Sequence, residues 1–169
     1  MKIISELCQN HNGNLETLES MIRSAAKNSD ILKIQSIKAN TLTKREEFEE
    51  FRPFKGEYDR LKGLELSKED EEFFIFKCME YGVDSMTTIF TPDHADYFNE
   101  LGYTNLKLSG YSIPAFDYGT KLKDFNFKKL YFSASSLSLD EISLTIKNLR
   151  ELNIDFCLLG CTCVYPTPL

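Results

Sequence analysis

Short apolar runs rich in β-branched residues alternate with longer helix-like stretches along the whole chain of 169 residues. Such alternation is typical of βα units that build a parallel sheet. Six strands are predicted, over residues 3–8, 31–37, 85–90, 105–109, 130–133 and 156–162. With 42% hydrophobic residues the chain can also bury a core. The sequence therefore predicts an α/β fold.

Residues that favour helix ends mark several of the intervening helices. Three helices are predicted to begin at capping residues: Ser67 with Asp70, Thr91 before Pro92, and Ser138 with Glu141. Two are predicted to end at Gly82 and Gly102. Segment 39–66 is long for a βα connection and rich in charge. It is interpreted either as a solvated insertion or as a loop that covers a site.

The number of strands limits the possible architectures. Six strands in 169 residues give about 28 residues per βα unit, and eight such units approach the ~250 residues of a (β/α)₈ barrel. A flavodoxin-like sheet is disfavoured because no glycine-rich phosphate loop follows the first strand. A barrel with six of its eight βα units and an open six-stranded parallel sheet both fit the count.

Composition excludes several classes of function. Lysine and arginine number 20 against 26 acidic residues, so a chain of net charge −6 is poorly suited to nucleic acid or anionic membranes. No apolar run is long enough for a bilayer, and Glu6 comes too early for a signal peptide. Five cysteines without a CxxC motif predict free thiols in the cytoplasm. Cys157, Cys161 and Cys163 are expected to be buried thiols rather than a metal site.

Two lysines suggest an anion site at the carboxyl ends of the strands, where ligands gather in α/β folds. Lys33 and Lys107 lie within strands among apolar neighbours, where an unpaired charge is costly. Together with the hydroxyls of Thr88, Ser133 and Thr162 they could hold a phosphate and a carboxylate. In the alternative interpretation each lysine reaches outward or pairs with a nearby acid.

Glu6 is the only acid in the first predicted strand. It could bond a sugar hydroxyl or act as a base, or it could be the structural partner of Lys33 on the adjacent strand. His11 is expected to hold the NHNG turn by a hydrogen bond rather than to bind a metal. His94 is expected at the surface of a helix start.

Six motifs resemble the sialic acid synthase family, which includes N-acetylneuraminate synthase and its legionaminate and pseudaminate relatives. In order they are SELCQNHNG, LKIQS, MTTIFTPD, NLKLSG, SASSLSLDEI and LLGCTCVYPTP, and they cover essentially the whole chain. The resemblance implies a (β/α)₈ barrel followed by a small antifreeze-like domain. Residues 1–169 would be the N-terminal part of the barrel, without strands seven and eight or the C-terminal domain.

The resemblance also implies a reaction. Family members condense phosphoenolpyruvate with an N-acylated amino sugar such as N-acetylmannosamine and release phosphate. This chemistry would serve surface polysaccharide synthesis in the cytoplasm, and the full-length enzyme would be a homodimer. A divalent metal, manganese or magnesium, is implied, but the family's metal-binding histidines lie beyond strand six, so no residue here is an expected ligand.

Residue by residue, the resemblance assigns seven positions. Glu6 would be catalytic and contact the sugar together with Tyr165, and phosphoenolpyruvate would contact Lys33, Thr88, Lys107, Ser133 and Cys163. The chain also departs from the family: Gly160 replaces a histidine, Cys163 an asparagine or serine, and Tyr111 an acid. These departures keep a second interpretation open, a non-catalytic remnant or a subunit of a split barrel. A third is an aldolase that uses Lys33 or Lys107 as a Schiff-base amine.

Overall fold

The computed structural model describes residues 1–91, 94–109, 120–135, 137–162, 164 and 166. The chain divides into two compact units, unit 1 (Met1–Ser85) and unit 2 (Met86–Leu169). Parallel strands alternate with helices in both units, so the predicted α/β class is confirmed.

Unit 1 holds the first two strands and the beginning of the third. In chain order its elements are β1 (Ile4–Cys8), α1 (Leu15–Ala25), β2 (Ile31–Ile34), α2 (Phe54–Lys62), α3 (Lys68–Glu80) and the start of β3 (Asp84–Ile89). β1 and β2 are parallel, with Glu6 opposite Lys33. The backbone N–H of Asp84 donates to the Asp30 carbonyl at 3.0 Å, which joins the start of β3 to the start of β2.

Unit 2 contains the remaining strands in sequence order. After β3 come α4 (Ala95–Leu101), β4 (Asn105–Leu108), β5 (Lys129–Ser133), α5 (Leu139–Glu151) and β6 (Phe156–Leu159). The pairs β3–β4, β4–β5 and β5–β6 are all parallel. Side chains alternate between the faces of a strand. The register therefore aligns one row on one face, Thr88, Lys107, Tyr131 and Cys157, and a more apolar row on the other, Thr87, Leu106, Leu130 and Phe156.

Each unit buries apolar side chains of its own. Leu18 and Ile22, four residues apart on α1, are fully buried, as are the three apolar residues of β2 and Phe74 of α3. In unit 2 the buried apolar residues include Ile89, Phe98, Leu106, Leu130, Phe132 and Leu149. Complete burial of one such side chain stabilises the fold by roughly 1.5–3 kcal/mol.

Most of the predicted helix boundaries are confirmed. The capping boxes Ser67–Asp70 and Ser138–Glu141 both form, each with the serine side chain accepting from the N3 backbone. Gly82 and Gly102 follow helix ends with positive φ angles of 70° and 80°. For the helix expected after Thr91, Pro92 lies outside the described residues. The described helix α4 begins at Ala95, and His94 occupies its N-cap position.

Three further expectations are corrected. His94 is half-buried, because its ring packs edge-on against Phe98 at 6.3 Å between centroids. β2 ends at Ile34 and β6 at Leu159, each three residues earlier than predicted. Cys157 is only half-buried and Cys161 is exposed, because β6 is the terminal strand in the order of unit 2 and ends before Cys161. Cys163 lies outside the described residues.

Segment 39–66 is partly helical and ends at a tight backbone contact. It contains two short 3₁₀ turns, Ala39–Thr41 and Glu46–Phe48, and then α2. Beyond α2, Gly63 lies so near the turn after β1 that a Cβ atom at Gly13 would be 2.6 Å from the Gly63 carbonyl oxygen. Gly13 also has a φ of +70°. Only glycine meets both requirements without strain.

Candidate functional site

Glu6 and Lys33 form an ion pair in unit 1. They are opposite each other on β1 and β2, and the Lys33 Nζ donates to the Glu6 Oε2 at 2.6 Å. The lysine side chain is only 3% exposed, whereas the glutamate is 45% exposed. A buried ammonium needs such a partner. The pair therefore holds a desolvated cation behind a carboxylate that solvent or a ligand can reach.

The second carboxylate oxygen of Glu6 is also bonded. The strand has a bulge between Glu6 and Cys8, and the backbone N–H of Cys8 donates to the Glu6 Oε1 at 3.0 Å. Cys8 has a φ of 54°, in the left-handed region. Two donors on two different oxygens fix both the position and the plane of this carboxylate.

Polar side chains continue from the ends of β1 and β2. The Gln9 Nε2 donates to the Gln35 Oε1 at 3.1 Å, and Arg60 of α2 donates to the Gln9 Oε1 at 3.3 Å. Arg60 also makes two bonds to Glu57, at 2.8 and 3.0 Å. This contact lowers the pKa of Glu57 to about 2, with Arg52 adding to the effect. The sequence did not indicate a role for Arg60, because this residue lies within a long run of charged residues.

A small cavity lies within segment 39–66. Its volume is about 220 Å³, and its lining residues are Leu42, Thr43, Arg45, Glu49, Arg52, Phe54 and Glu57. Glu57 thus lines the cavity and also bonds to Arg60 of α2, which contacts Gln9 just after the end of β1. The sequence signal for this cavity was only the unusual length and charge of the segment.

Thr88 and Lys107 are opposite each other in unit 2. They are register partners on β3 and β4, and Tyr131 of β5 is next in the same row. Thr88 is 2% exposed, and no described residue hydrogen-bonds to its Oγ1. Lys107 is half-buried. A buried hydroxyl that lacks a partner in the described part of the chain is a candidate donor to a ligand.

Ser133 lies at the end of β5, on the same face as Tyr131. Its Oγ is 2.7 Å from the Oγ of Ser135 and donates to the Cys161 Sγ at 3.2 Å. Ser133 and Ser135 are both buried. The predicted hydroxyl at Ser133 is therefore part of a small polar cluster, which the sequence indicated only through the run of serines.

The structure brings some of the predicted site residues together. Glu6 contacts Lys33 in unit 1. In unit 2, Thr88 of β3 is opposite Lys107 of the adjacent strand β4, and Ser133 is at the end of β5, the next strand. Thr162 is exposed after the end of β6. The predicted positions Cys163 and Tyr165 lie outside the described residues.

His11 has the structural role that was expected. It is fully buried, and its Nδ1 accepts the backbone N–H of Gly13 at 3.0 Å. Burial lowers the pKa of the imidazole, and the Asp70 carboxylate opposes that effect. The described residues contain no group of three or more His, Cys, Asp or Glu side chains that could hold a metal ion. They do not fit a complete metal site.

One element of the polar architecture was missed entirely. Glu71 of α3 is fully buried and accepts from Ser36 at 2.7 Å and from Lys38 at 3.2 Å. Lys38 also donates to the Leu66 carbonyl at 2.8 Å. These bonds fix the chain just beyond β2. Glu71 was not singled out in the sequence because it lies in the acidic run that opens α3.

Within the described residues, no helix has the length and apolar character that crossing a membrane requires.

Comparison with known proteins identifies related chains. The NeuB family model matches residues 21–169. The N,N'-diacetyllegionaminic acid synthase of Legionella pneumophila is 30% identical over 97% of this chain and 49% of its own length. The enzyme of the same name from Campylobacter jejuni is 29% identical over 98% and 52%. The N-acetylneuraminate-9-phosphate synthase of Mus musculus is 24% identical over 97% and 47%. The chain therefore spans about half the length of these relatives.

Solved structures show the same fold. N-acetylneuraminic acid synthetase from Leptospira borgpetersenii superposes with a TM-score of 0.81 at 21% identity, over 99% of this chain and 57% of that one. The spore coat polysaccharide biosynthesis protein SpsE from Bacillus subtilis gives 0.79 at 20% identity, over 99% and 45%. The predicted fold class is confirmed as a (β/α)₈-type barrel represented by six βα units, rather than an open sheet.

Proposed function

Since the chain belongs to the NeuB family, we propose that it supplies ligand-binding residues of a nonulosonic acid synthase. The proposed reaction condenses phosphoenolpyruvate with an N-acylated amino sugar such as N-acetylmannosamine and releases phosphate. The observation that carries the proposal is the buried Thr88 Oγ1 of β3, which has no hydrogen-bond partner among the described residues and is opposite Lys107 of β4.

The chemistry divides into three changes. The enol carbon of phosphoenolpyruvate forms a bond to the aldehyde carbon of the open-chain sugar, and the aldehyde oxygen gains a proton. Water adds to the resulting cationic carbon and loses a proton. The C–O bond to phosphate then breaks, the added hydroxyl becomes the ketone carbonyl, and its proton leaves with inorganic phosphate. Manganese or magnesium in the complete enzyme is part of the proposal, but no step here is assigned to it, because the described residues do not form a metal site.

The proposed roles follow from charge and hydrogen-bonding capacity. Lys33 and Lys107 would offset the negative charge of phosphoenolpyruvate, since fixed ammonium groups form strong charge-assisted bonds with phosphate and carboxylate oxygens. The buried hydroxyls of Thr88 and Ser133 would donate to phosphate oxygens. Support for Thr88 comes from its Oγ1, for which the described residues offer no hydrogen-bond partner.

Glu6 is proposed to contact the sugar. Its Oε1 and Oε2 each accept one bond from the described residues and retain further lone pairs. They could accept a sugar hydroxyl or move a proton during aldehyde attack. Cys163 on phosphoenolpyruvate and Tyr165 on the sugar complete the proposal. A homodimeric, cytoplasmic enzyme is also part of it, supported for the compartment by the free thiols of the four described cysteines.

The test is phosphate release from phosphoenolpyruvate that depends on an amino sugar and manganese. Lys107→Ala should raise the KM for phosphoenolpyruvate or lower kcat, together by about tenfold or more, because one fixed cation is lost. Lys147→Ala removes an exposed lysine of α5 and is the matched control, with constants expected to be unchanged. Wild-type constants for Lys107→Ala would contradict its role. No release with any amino sugar would favour the non-catalytic alternative.

A further inference from the structure

The backbone of Cys8 supplies one of the two donors that hold Glu6. We infer that Cys8 is a positioning residue, whose left-handed backbone aims its N–H at Glu6 and thereby orients that carboxylate toward substrate. The inference rests on the proposed function, in which Glu6 contacts the sugar.

The bulge makes this donor available. Glu6 is opposite Lys33 and Cys8 is opposite Ile34, so Leu7 is the additional residue on β1. At a bulge the regular ladder is interrupted and the backbone turns. The Cys8 N–H is directed to the Glu6 Oε1 at 3.0 Å, while the Cys8 carbonyl accepts the Gln35 N–H at 3.4 Å. The backbone of one residue therefore fixes Glu6 through its N–H and connects β1 to the end of β2 through its carbonyl.

The conformation is unfavourable for a residue with a Cβ atom. Cys8 has a φ of 54°, and left-handed backbone is disfavoured for L-residues other than glycine and, to a smaller extent, asparagine or aspartate. Such conformations persist where surrounding contacts determine them, and they cluster at functional sites. At Cys8 the surrounding contacts are the two backbone hydrogen bonds.

Packing alone cannot hold Glu6 in place. Its side chain is 45% exposed, and among the described residues the Lys33 Nζ is the other hydrogen-bond donor to it besides Cys8. A single donor on Oε2 would let the carboxylate rotate about that contact. The second donor on Oε1 removes this freedom, and a misplacement of about 1 Å can cost on the order of 100-fold in rate.

The role belongs to the backbone and not to the thiol, which determines the choice of variants. Cys8→Gly and Cys8→Asn keep the N–H and tolerate a positive φ. Cys8→Val keeps the N–H but opposes that φ, because Val is β-branched. Cys8→Ser removes the thiol at nearly constant size. Asn153→Val is the matched control, since Asn153 has a φ of 56° in the turn before β6.

The first measurement is amide hydrogen exchange at residue 8 of the full chain. The wild type and Cys8→Gly should show protection of at least about tenfold, and Glu6→Ala should lose it, because the acceptor is gone. Glu6→Ala leaves residue 8 itself unchanged, so it remains informative even when Cys8→Val fails to fold. An unprotected amide in the wild type, or equal protection in Glu6→Ala, would overturn the inference.

The second measurement is kcat for phosphate release. Cys8→Val should lower kcat by about 10- to 100-fold with little change in the KM for phosphoenolpyruvate, while the Gly, Asn and Ser variants stay within about threefold. Asn153→Val should keep the wild-type kcat. A folded Cys8→Val protein with wild-type kcat would contradict the positioning role of Cys8.

Glu6→Gln separates this inference from the proposed function. If the exchange pattern holds and Glu6→Gln keeps the wild-type kcat, the proposed role of Glu6 fails, although Cys8 still orients its carboxylate. If Glu6→Gln loses activity and the exchange pattern is absent, Glu6 keeps its proposed role and the positioning by Cys8 is wrong.

Discussion

The imidazole of His11 is closed off from solvent and supports the turn after β1 through one of its nitrogens. Its pKa in the folded chain is lowered from 6.5 by burial, and Asp70 opposes the shift. Near and below pH 6.5 the unfolded chain therefore binds a proton that the folded chain does not. Stability is lost as the pH falls from 6.5 toward the lower folded pKa, with a slope of at most about 1.4 kcal/mol per pH unit.

We expect the free energy of unfolding to decrease between pH 7.5 and 5.5 and the decrease to be smaller in His11→Asn. Asparagine can accept the Gly13 N–H through its side-chain oxygen but does not titrate in this range. The measurement is urea unfolding of the wild type and of His11→Asn at several pH values. Equal pH dependence in His11→Asn and wild type would contradict the prediction.

The contacts of single residues were predictable where a buried charge requires a partner of opposite charge. An acid in the first strand and a lysine in the second gave the Glu6–Lys33 pair as one of two interpretations, and the structure forms that pair. The bond from Cys8 to Glu6 was not predictable, because a left-handed residue that is neither Gly nor Asn carries no sequence signal. The same holds for Glu71, since burial depends on which helix face meets the rest of unit 1.

At the scale of elements, α3 is joined to the exit of β2 by a buried charge. Glu71 is 1% exposed, and its partner Lys38 is 20% exposed. The Ser36 hydroxyl contributes a further bond. Just beyond the end of β2 the side chains of Ser36 and Lys38 thus bond to α3.

Glu71→Ala should lower the free energy of unfolding by about 3 kcal/mol, because it leaves Lys38 and Ser36 without their buried acceptor. Glu72→Ala is the matched control on the same helix. Its side chain is 53% exposed and lies 4.0 Å from Lys68, so its expected effect is within about 0.5 kcal/mol. The measurement is chemical denaturation of the two variants. Similar losses of the free energy of unfolding in both would contradict the structural role of buried Glu71.

Helix boundaries were predictable where the signal was local. The two capping boxes are determined by residues three apart, and both form as expected. Pro92 of the Thr91–Pro92 signal lies outside the described residues, and the described helix α4 begins at Ala95. Tertiary contacts such as the ring contact between His94 and Phe98 are not visible in a local pattern.

At the scale of the molecule, the fold is retained although most of the sequence differs. A TM-score of 0.81 accompanies 21% identity in the Leptospira borgpetersenii structure. The alternation of strands and helices predicted an α/β fold with parallel strands, and the resemblance to a known family selected the barrel. Its register was not predictable from composition, yet the register is what places Thr88 opposite Lys107.

The close approach of Gly13 and Gly63 has a consequence for how this chain tolerates change. Between the Lys38 contact with α3 and the start of α2, the connection can gain or lose residues at modest entropic cost, because lengthening a surface loop is inexpensive. The chain just beyond α2 has no such freedom, since a single methyl group at position 13 would collide with the Gly63 carbonyl. Engineers who graft a new connection here can therefore vary its length and sequence, provided that the graft rejoins the chain before this fixed junction.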